Sequence, residues 1–178
     1  MGQVKCIKWF DDDSGFISGG WDGFVNYQKL YKDDVGQYHQ KNMQFTCVAN
    51  KPDSKEICYV AANDKSVREV FVGFDRNEKN QDKNKTSKCT LQYDAGVNIS
   101  QLVLLNGARA LIAGVHENDK PGSIQVINMG FEKIFEVQAH SLPIERLRLS
   151  YDNQYLYSAG QDGMLGIFQI MDKKDRDL

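Results

Sequence analysis

The sequence predicts an all-β fold: a β-propeller of about four blades of four antiparallel strands, partial or incompletely closed. Two observations predict this class. Short runs of β-branched and aromatic residues, separated by polar or glycine-containing turns, follow one another along the chain. The same order of runs and turns also recurs four times. A recurring unit of about 40–45 residues with room for four strands is typical of a propeller blade.

The first and last copies of the repeat lie 140 residues apart and align without a gap. Apolar residues of the first strand correspond, and so do a serine and an Asp-Gly pair further along. Asp-Gly is a frequent sequence in tight β-hairpin turns. The corresponding residues are Val4 and Ile144, Ile7 and Leu147, Trp9 and Leu149, Ser18 and Ser158, and Asp22 and Asp162.

A third copy starts at Ile99, and a weaker fourth copy starts near Phe45. A segment with strand character lies between each copy and the next, and it provides the outer strand of a blade. The last copy has no such segment after it, so the last blade is predicted to lack its outer strand. The three outer-strand segments are residues 35–40, 88–94 and 133–139.

Domain limits follow from this alignment. We predict that the propeller fills residues 1–172, with blades starting near residues 4, 45, 99 and 144. Residues 73–88 are charged, asparagine-rich and almost free of apolar side chains, which predicts an exposed loop. Residues 173–178 are predicted to form a charged tail.

Composition and charge narrow the classes of partner. The net charge of −2 gives no broad basic surface for nucleic acid or for an anionic membrane. No apolar run approaches the ~18 residues that would span a bilayer. The first residues lack the layout of a signal peptide. We therefore expect neither nucleic acid nor a membrane among the partners.

The sequence predicts no metal site and no cofactor. Its four cysteines, at positions 6, 47, 58 and 89, form no CxxC pair and lie apart from the three histidines. We interpret them as buried free thiols in a reducing cytosol. Residues 11–14 read DDDS, but they lack the alternating oxygens, the glycine and the terminal glutamate of a calcium loop.

His140, Ser158 and Asp162 allow a chemical and an architectural interpretation. As chemistry, they supply a base, a nucleophile and an orienting carboxylate. As architecture, they are buried polar groups that satisfy one another within a blade. The repeat favours architecture, because Asp22 takes the place of Asp162 in the first copy with no histidine before it. We predict no catalytic residue and a structural network of His140, Ser158 and Asp162, with Asp22 as the counterpart in the first blade.

Trp21 stands at the first Asp-Gly turn and is the candidate partner-surface residue, because exposed tryptophans often anchor protein partners. Four blades rarely close a propeller ring, and an unpaired strand edge favours pairing with another chain. Three explanations stay open. The chain is a fragment of a longer polypeptide, another chain completes the propeller, or four blades close into a compact ring.

The stretch EVQAH–SLPIERLRLSYDNQ–YLYSAGQDG–MLGIFQIMD resembles a WD repeat. In that family a histidine, a serine and a turn aspartate form a buried hydrogen-bond network, and His140, Ser158 and Asp162 stand at the matching positions. Phe168 stands where tryptophan is usual, and Gln169 replaces the terminal aspartate. The resemblance therefore implies a network of at most three members.

The same stretch, with the MDKKDRDL that ends the chain, resembles the last propeller blade of the family of cilia- and flagella-associated protein 57. In that family WD-repeat propellers precede a long coiled coil. The resemblance implies a non-enzymatic scaffold of the motile axoneme that supports inner dynein arms. It implies a location in cytoplasm, cytoskeleton and cilium axoneme. The implied partners are axonemal complexes and inner dynein arm components, with no small-molecule substrate.

Two other functions stay open from the sequence. A general cytosolic WD-repeat adaptor would bind peptides on the top face and would not associate with axonemes. A propeller enzyme would need acids or histidines along the central channel. The inner-strand positions Val4, Ile99 and Ile144 are apolar instead, which argues against an enzyme.

Overall fold

The computed structural model describes residues 2–31, 35–72, 87–105 and 109–171. These residues form four antiparallel sheets, and each sheet consists of strands that follow one another in the chain. We call the sheets blades 1 to 4. Blade 1 comprises β1 (Val4–Trp9), β2 (Gly15–Gly20), β3 (Phe24–Lys29) and β4 (Val35–His39), and blade 2 comprises β5 (Phe45–Lys51), β6 (Ser54–Ala62), β7 (Ser66–Phe71) and β8 (Lys88–Asp94). Blade 3 comprises β9 (Ile99–Leu104), β10 (Ala110–Val115), β11 (Gly122–Asn128) and β12 (Lys133–His140), and blade 4 comprises β13 (Ile144–Leu149), β14 (Tyr155–Gly160) and β15 (Leu165–Gln169).

The predicted fold class, an all-β propeller of four blades, is confirmed. The inner strand of each blade begins at the residue where a sequence copy starts. Blade 4 has three strands among the described residues, so β15 forms one edge of its sheet. Lys88, predicted to end an exposed loop, instead begins β8 and pairs with Phe71. The rest of that loop up to residue 86, and the predicted tail, lie outside the described residues.

Neighbouring blades pack face to face through apolar side chains, because each strand alternates its side chains between the two faces of its sheet. Val25 and Tyr27 of blade 1 share a buried cluster with Phe45 and Val48 of blade 2. Burial of each such side chain contributes about 1.5–3 kcal/mol. Equivalent clusters join blades 2 and 3 through Tyr59, Val67, Ile99 and Leu111, and blades 3 and 4 through Ile112, Ile124, Ile144 and Leu147.

A bulge recurs at the second residue of every inner strand, where one residue is skipped in the pairing with the next strand. In blade 2 this residue is Thr46, whose hydroxyl donates to the carbonyl oxygen of Ile99 in blade 3 at 2.7 Å. In blade 3 it is Ser100, whose hydroxyl donates to the carbonyl oxygen of Ile144 in blade 4 at 2.8 Å. These hydrogen bonds link the inner strands of successive blades.

The row of blades does not close into a ring by itself. Val4, Ile7 and Trp9 on β1 remain exposed, and so do Leu165 and Ile167 on β15. The compact four-bladed ring, one of the three explanations left open by the sequence, is therefore not the observed arrangement. Both ends of the row present a blade face with no neighbour among the described residues.

Candidate protein-interaction surfaces

The predicted polar trio meets at the junction between blades 3 and 4. His140 ends β12 of blade 3, and its ring reaches into blade 4. Its Nε2 lies 2.7 Å from the Ser158 hydroxyl, and its Nδ1 lies 3.0 Å from a carboxylate oxygen of Asp162. His140 and Ser158 are both buried. Because the hydroxyl is enclosed, the trio forms a bridge between blades and offers no opening to a substrate.

Asp162 also stabilises the turn that follows β14. Its carboxylate accepts hydrogen bonds from the backbone N–H groups of Ser141 at 2.9 Å and Met164 at 3.1 Å. Burial would raise the pKa of this carboxyl, but the hydrogen bonds from Met164, Ser141 and His140 outweigh burial and hold the pKa at about 2. The ionised form is thus the one that the fold favours.

Asp22 takes the equivalent place in blade 1, in the turn between β2 and β3. Its carboxylate accepts from the backbone N–H of Phe24 at 3.4 Å and of Gly2 at 3.3 Å. Gly23 follows with φ of +79°, a conformation in which glycine avoids the steric cost of a Cβ. Asp22 belongs to blade 1, whereas His140 lies at the junction of blades 3 and 4. The two residues are therefore not members of one hydrogen-bond network.

Sequence reasoning missed a second buried polar network, in blade 2. Asp64 accepts from the backbone N–H of Ser66 at 3.2 Å and forms an ion pair with the buried guanidinium of Arg68. Burial raises the pKa of Asp64, but the hydrogen bonds from Ser66 and Arg68 outweigh it and lower the pKa overall. The signal in the sequence was weak, because lysine follows Asp64, whereas Gly23 and Gly163 follow Asp22 and Asp162 in blades 1 and 4.

The middle of the third strand differs from blade to blade. In blade 1 the Oδ1 of Asn26 accepts from Gln37 at 2.8 Å, and in blade 3 the Nε2 of Gln125 donates to Glu136 at 3.3 Å. Blade 2 has Arg68 at this position. Blade 4 has Gly166, where a Cβ would lie 2.7 Å from the Ser158 hydroxyl. Each blade thus has a different polar arrangement at the same position of its third strand.

Trp21, the predicted partner-surface residue, lies at the turn after β2 with 43% of its surface exposed. The Lys5 ammonium sits 3.6 Å from the centroid of its ring, a cation–π contact. The Trp21 backbone N–H donates to the carbonyl oxygen of Gln3 at 2.9 Å. The side chain is thereby held in place while its outer face stays accessible. Its role toward a partner remains a prediction.

The thiols are not all buried, contrary to the interpretation from the sequence. Cys47 and Cys58 are buried, Cys6 is partly buried and Cys89 is exposed on the outer strand β8. Burial raises the pKa of Cys6 to about 11, with backbone hydrogen bonds opposing that rise. Burial also raises the pKa of Cys47 and Cys58, and the partial desolvation of the Cys89 thiol raises its pKa as well. No group of three or more metal-binding side chains occurs within the described ranges.

A cavity of about 720 Å³ opens along the inner strands of all four blades. Lys8, Asn50, Leu104 and Arg148 line it, one from each inner strand. Asp11 is the one carboxylate on its wall in the part of the chain that the structure describes, and no histidine accompanies it there. Among the described residues, the cavity wall therefore has neither a pair of carboxylates nor a histidine beside Asp11.

No helix in the described part of the chain has the length and apolar character needed to cross a membrane.

Comparison with known proteins gives matches in sequence and in fold. The family described as "WD domain, G-beta repeat" matches residues 1–27 and 131–169. Among curated proteins, cilia- and flagella-associated protein 57 C of Tetrahymena thermophila is 30% identical over 99% of this chain. Cilia- and flagella-associated protein 57 A of the same organism is 25% identical over 97% of it, and the mouse protein 57 is 24% identical over 99%. The chain spans 14%, 15% and 13% of the lengths of these three relatives.

Solved structures share the fold. A chain of the crystal structure of the mitotic checkpoint complex matches 96% of this chain with a TM-score of 0.75 at 19% identity. The β-propeller domain of Cps50 (Swd1) from Myceliophteria thermophila matches 98% with a TM-score of 0.76 at 15% identity. The match takes in 51% and 54% of those two chains. The chain is therefore a four-bladed WD-repeat propeller segment that is homologous to cilia- and flagella-associated protein 57 over nearly its whole length.

Proposed function

We propose that the protein is a non-enzymatic protein-interaction scaffold of the ciliary or flagellar axoneme. In this role it supports the docking or regulation of inner dynein arms and hence ciliary motility. Its locations are the cytoplasm, the cytoskeleton and the cilium axoneme. Its partners are other proteins, namely axonemal complexes and inner dynein arm components.

One observation carries the ciliary part of the proposal. Three proteins named for cilia and flagella match between 97% and 99% of the chain, so the likeness extends beyond a single repeat. We propose inner dynein arms as partners because the last blade resembles that family. The site geometry is consistent with a scaffold, because the trio that could have been catalytic is enclosed between two blades.

The scaffold would act through its turns and blade faces. Rigid sheets position the loops between strands, and binding residues occur often on such loops. Trp21 combines exposure with a defined position, since Lys5 lies over its ring and its backbone N–H bonds Gln3. We place the docking contact for an axonemal partner at this turn.

Fractionation of cilia tests the location. The tagged protein is expressed in cells with motile cilia, the cilia are detached, and membrane, soluble and axonemal fractions are separated with detergent and increasing salt. We expect the protein in the axonemal fraction and expect its release only at high salt. Recovery from the cell body alone would contradict the proposal and would favour a general cytosolic WD-repeat adaptor.

A matched pair of variants tests the docking residue. Trp21→Ala should leave the unfolding midpoint nearly unchanged and should shift the protein from the axonemal to the soluble fraction. Tyr31→Ala is the control, because Tyr31 is a fully exposed aromatic residue in the same blade. Equal axonemal retention of both variants would exclude Trp21 as the docking residue.

A further inference from the structure

Blade 3 has a longer turn between its second and third strands than blades 1, 2 and 4 have. Residues 116–121 form this turn, which we call the long turn. The Glu117 side chain is only 16% exposed, and its carboxylate accepts from the ammonium groups of Lys65 at 2.8 Å and Lys120 at 3.1 Å. These two hydrogen bonds lower the pKa of the Glu117 carboxyl. Lys120 belongs to the long turn, but Lys65 belongs to blade 2, so the ion pair of Lys65 with Glu117 links the two blades.

Lys65 occupies a backbone position that suits glycine. Its φ is +66°, and Gly23 and Gly163 stand at the same place in blades 1 and 4 with φ of +79° and +76°. In this region the Cβ of an L-residue comes close to the following carbonyl oxygen, which glycine avoids. Strained positions of this kind persist where the surrounding structure holds them and often accompany a function of the side chain. At Lys65 the side chain reaches the neighbouring blade.

The segment that connects blades 2 and 3, residues 95–98, bonds both turns. The Ala95 N–H donates to the carbonyl oxygen of Lys65 at 2.8 Å, and the His116 N–H donates to the carbonyl oxygen of Asn98 at 2.8 Å. Ala95 is buried in the apolar cluster that joins these two blades. The ion pair of Lys65 with Glu117 therefore completes a closed series of contacts around the connecting segment.

The long turn also contacts blade 4. The Nδ1 of His116 donates to the carbonyl oxygen of Ile144 at 3.2 Å. Glu145 lies 3.6 Å from the same nitrogen and accepts from Gln161 at 2.7 Å. Salt screens an ion pair between partly exposed charges, whereas a hydrogen bond to a backbone carbonyl depends on it much less. Raised salt should therefore weaken the contact of the long turn with blade 2 more than its contact with blade 4.

We propose that Lys65 and Glu117 form a salt-sensitive latch. In the closed state, which the structure shows, the ion pair holds the long turn against blade 2. In the open state the long turn keeps its contact with blade 4, and the connecting segment at residues 95–98 becomes accessible to water. A partly exposed ion pair contributes little to stability, so the latch opens while the four sheets stay folded. This inference is independent of the ciliary proposal.

Hydrogen exchange measured by mass spectrometry tests the latch. The purified chain is labelled at neutral pH in low and high sodium chloride, at about 0.01 M and about 1 M, where the Debye length is about 30 Å and about 3 Å. At high salt we expect exchange in residues 95–98 and 116–121 to rise about twofold to fivefold, as the loss of an exposed ion pair predicts. Unchanged exchange in both segments would overturn the proposal, and so would an equal rise in every blade.

Charge-neutral variants test whether this ion pair is the latch. At low salt Lys65→Gln and Glu117→Gln should each reproduce the exchange of the wild type at high salt, whereas Lys65→Arg should keep the latch closed. Lys133→Gln is the control, because Lys133 pairs with Glu136 at 2.6 Å and is 42% exposed, close to the 41% of Lys65. It should leave both segments unchanged.

The double variant of Lys65→Gln and Glu117→Gln should exchange no faster than the faster single variant, because both changes remove the same contact. Effects that add in the double variant would contradict the latch.

Lys65→Gly separates the latch from the backbone strain. Glycine relieves the left-handed position, so this variant should unfold at a higher temperature than Lys65→Gln. Both variants lack the ammonium, so the long turn should exchange about equally fast in the two. A long turn that is as protected in Lys65→Gly as in the wild type would overturn the proposal.

Discussion

At the scale of single residues, His140 shows how a histidine, a serine and an aspartate can share geometry with a catalytic triad and still serve as a bridge. Both ring nitrogens have partners, and both partners belong to blade 4. Substrate access would require the blades to separate. The close contacts of the trio therefore connect two sheets, and their loss should be measured in stability.

His140→Ala should lower the free energy of unfolding by about 1–3 kcal/mol, because Ser158 and Asp162 would lose a buried partner. His39→Ala is the control and should cost less than about 1 kcal/mol, since its ring lies at the surface against Phe24. Urea unfolding followed by tryptophan fluorescence measures both. Equal losses for the two variants would contradict a bridging role for His140.

Asp162 makes this bridge dependent on pH. Its pKa is about 2 in the fold against an ordinary 3.8, so the ionised carboxylate stabilises the fold at neutral pH. This contribution is fully present above pH 4 and is lost as the pH falls toward 2. The difference in unfolding free energy between wild type and Asp162→Asn should therefore be largest at neutral pH and should shrink between pH 4 and pH 2. A difference that stays constant across that range would contradict the assignment.

At the scale of elements, the hairpin turns after the second strand in blades 1, 2 and 4 share an aspartate that accepts from the N–H two residues further on. Asp22, Asp64 and Asp162 all do so. The residue between has positive φ in each case, and two of the three are glycines, Gly23 and Gly163. These two glycines differ in their surroundings, which provides a matched comparison.

Gly163→Ala should cost about 1 kcal/mol, because an L-residue in the left-handed region places its Cβ close to the following carbonyl oxygen. Gly23→Ala should cost clearly more. Its Cβ would lie 2.3 Å from the carbonyl oxygen of Gln40, whereas at Gly163 nothing lies within 4 Å. Thermal unfolding of the two variants measures the difference. Equal losses would show that the backbone at Gln40 moves aside freely.

Sequence spacing predicted the elements better than it predicted their surroundings. The inner strands and the place of His140, Ser158 and Asp162 in one blade follow from the repeat, because period and turn residues are local properties of the chain. Asp64 was missed because the residue after it is lysine, which hid the turn. The exposure of Cys89 was missed although residues 88–94 were predicted to form an outer strand, because the four thiols were interpreted together from the general tendency of free cysteines to be buried.

At the scale of the whole molecule, the blades form a row in which each sheet packs on the next, and each end of the row presents exposed apolar side chains. Homology to a ciliary protein covers almost the whole row, although the row is a small part of each relative. We therefore look for the function at exposed surfaces, and the turn of blade 1 that holds Trp21 is the one that we propose for a partner.

The polar contacts of the blades have a consequence for the order in which the blades can follow one another. Asn26, Arg68 and Gln125 each bond a partner within their own blade, so these pairs would move together with the blade. The His140 bridge is different, because its partners Ser158 and Asp162 lie across the junction in blade 4. Moving the chain ends to another loop would preserve this bridge. Separating blade 3 from blade 4 by a transposition would leave the buried Ser158 hydroxyl without its histidine, so the bridge specifies that these two blades are neighbours.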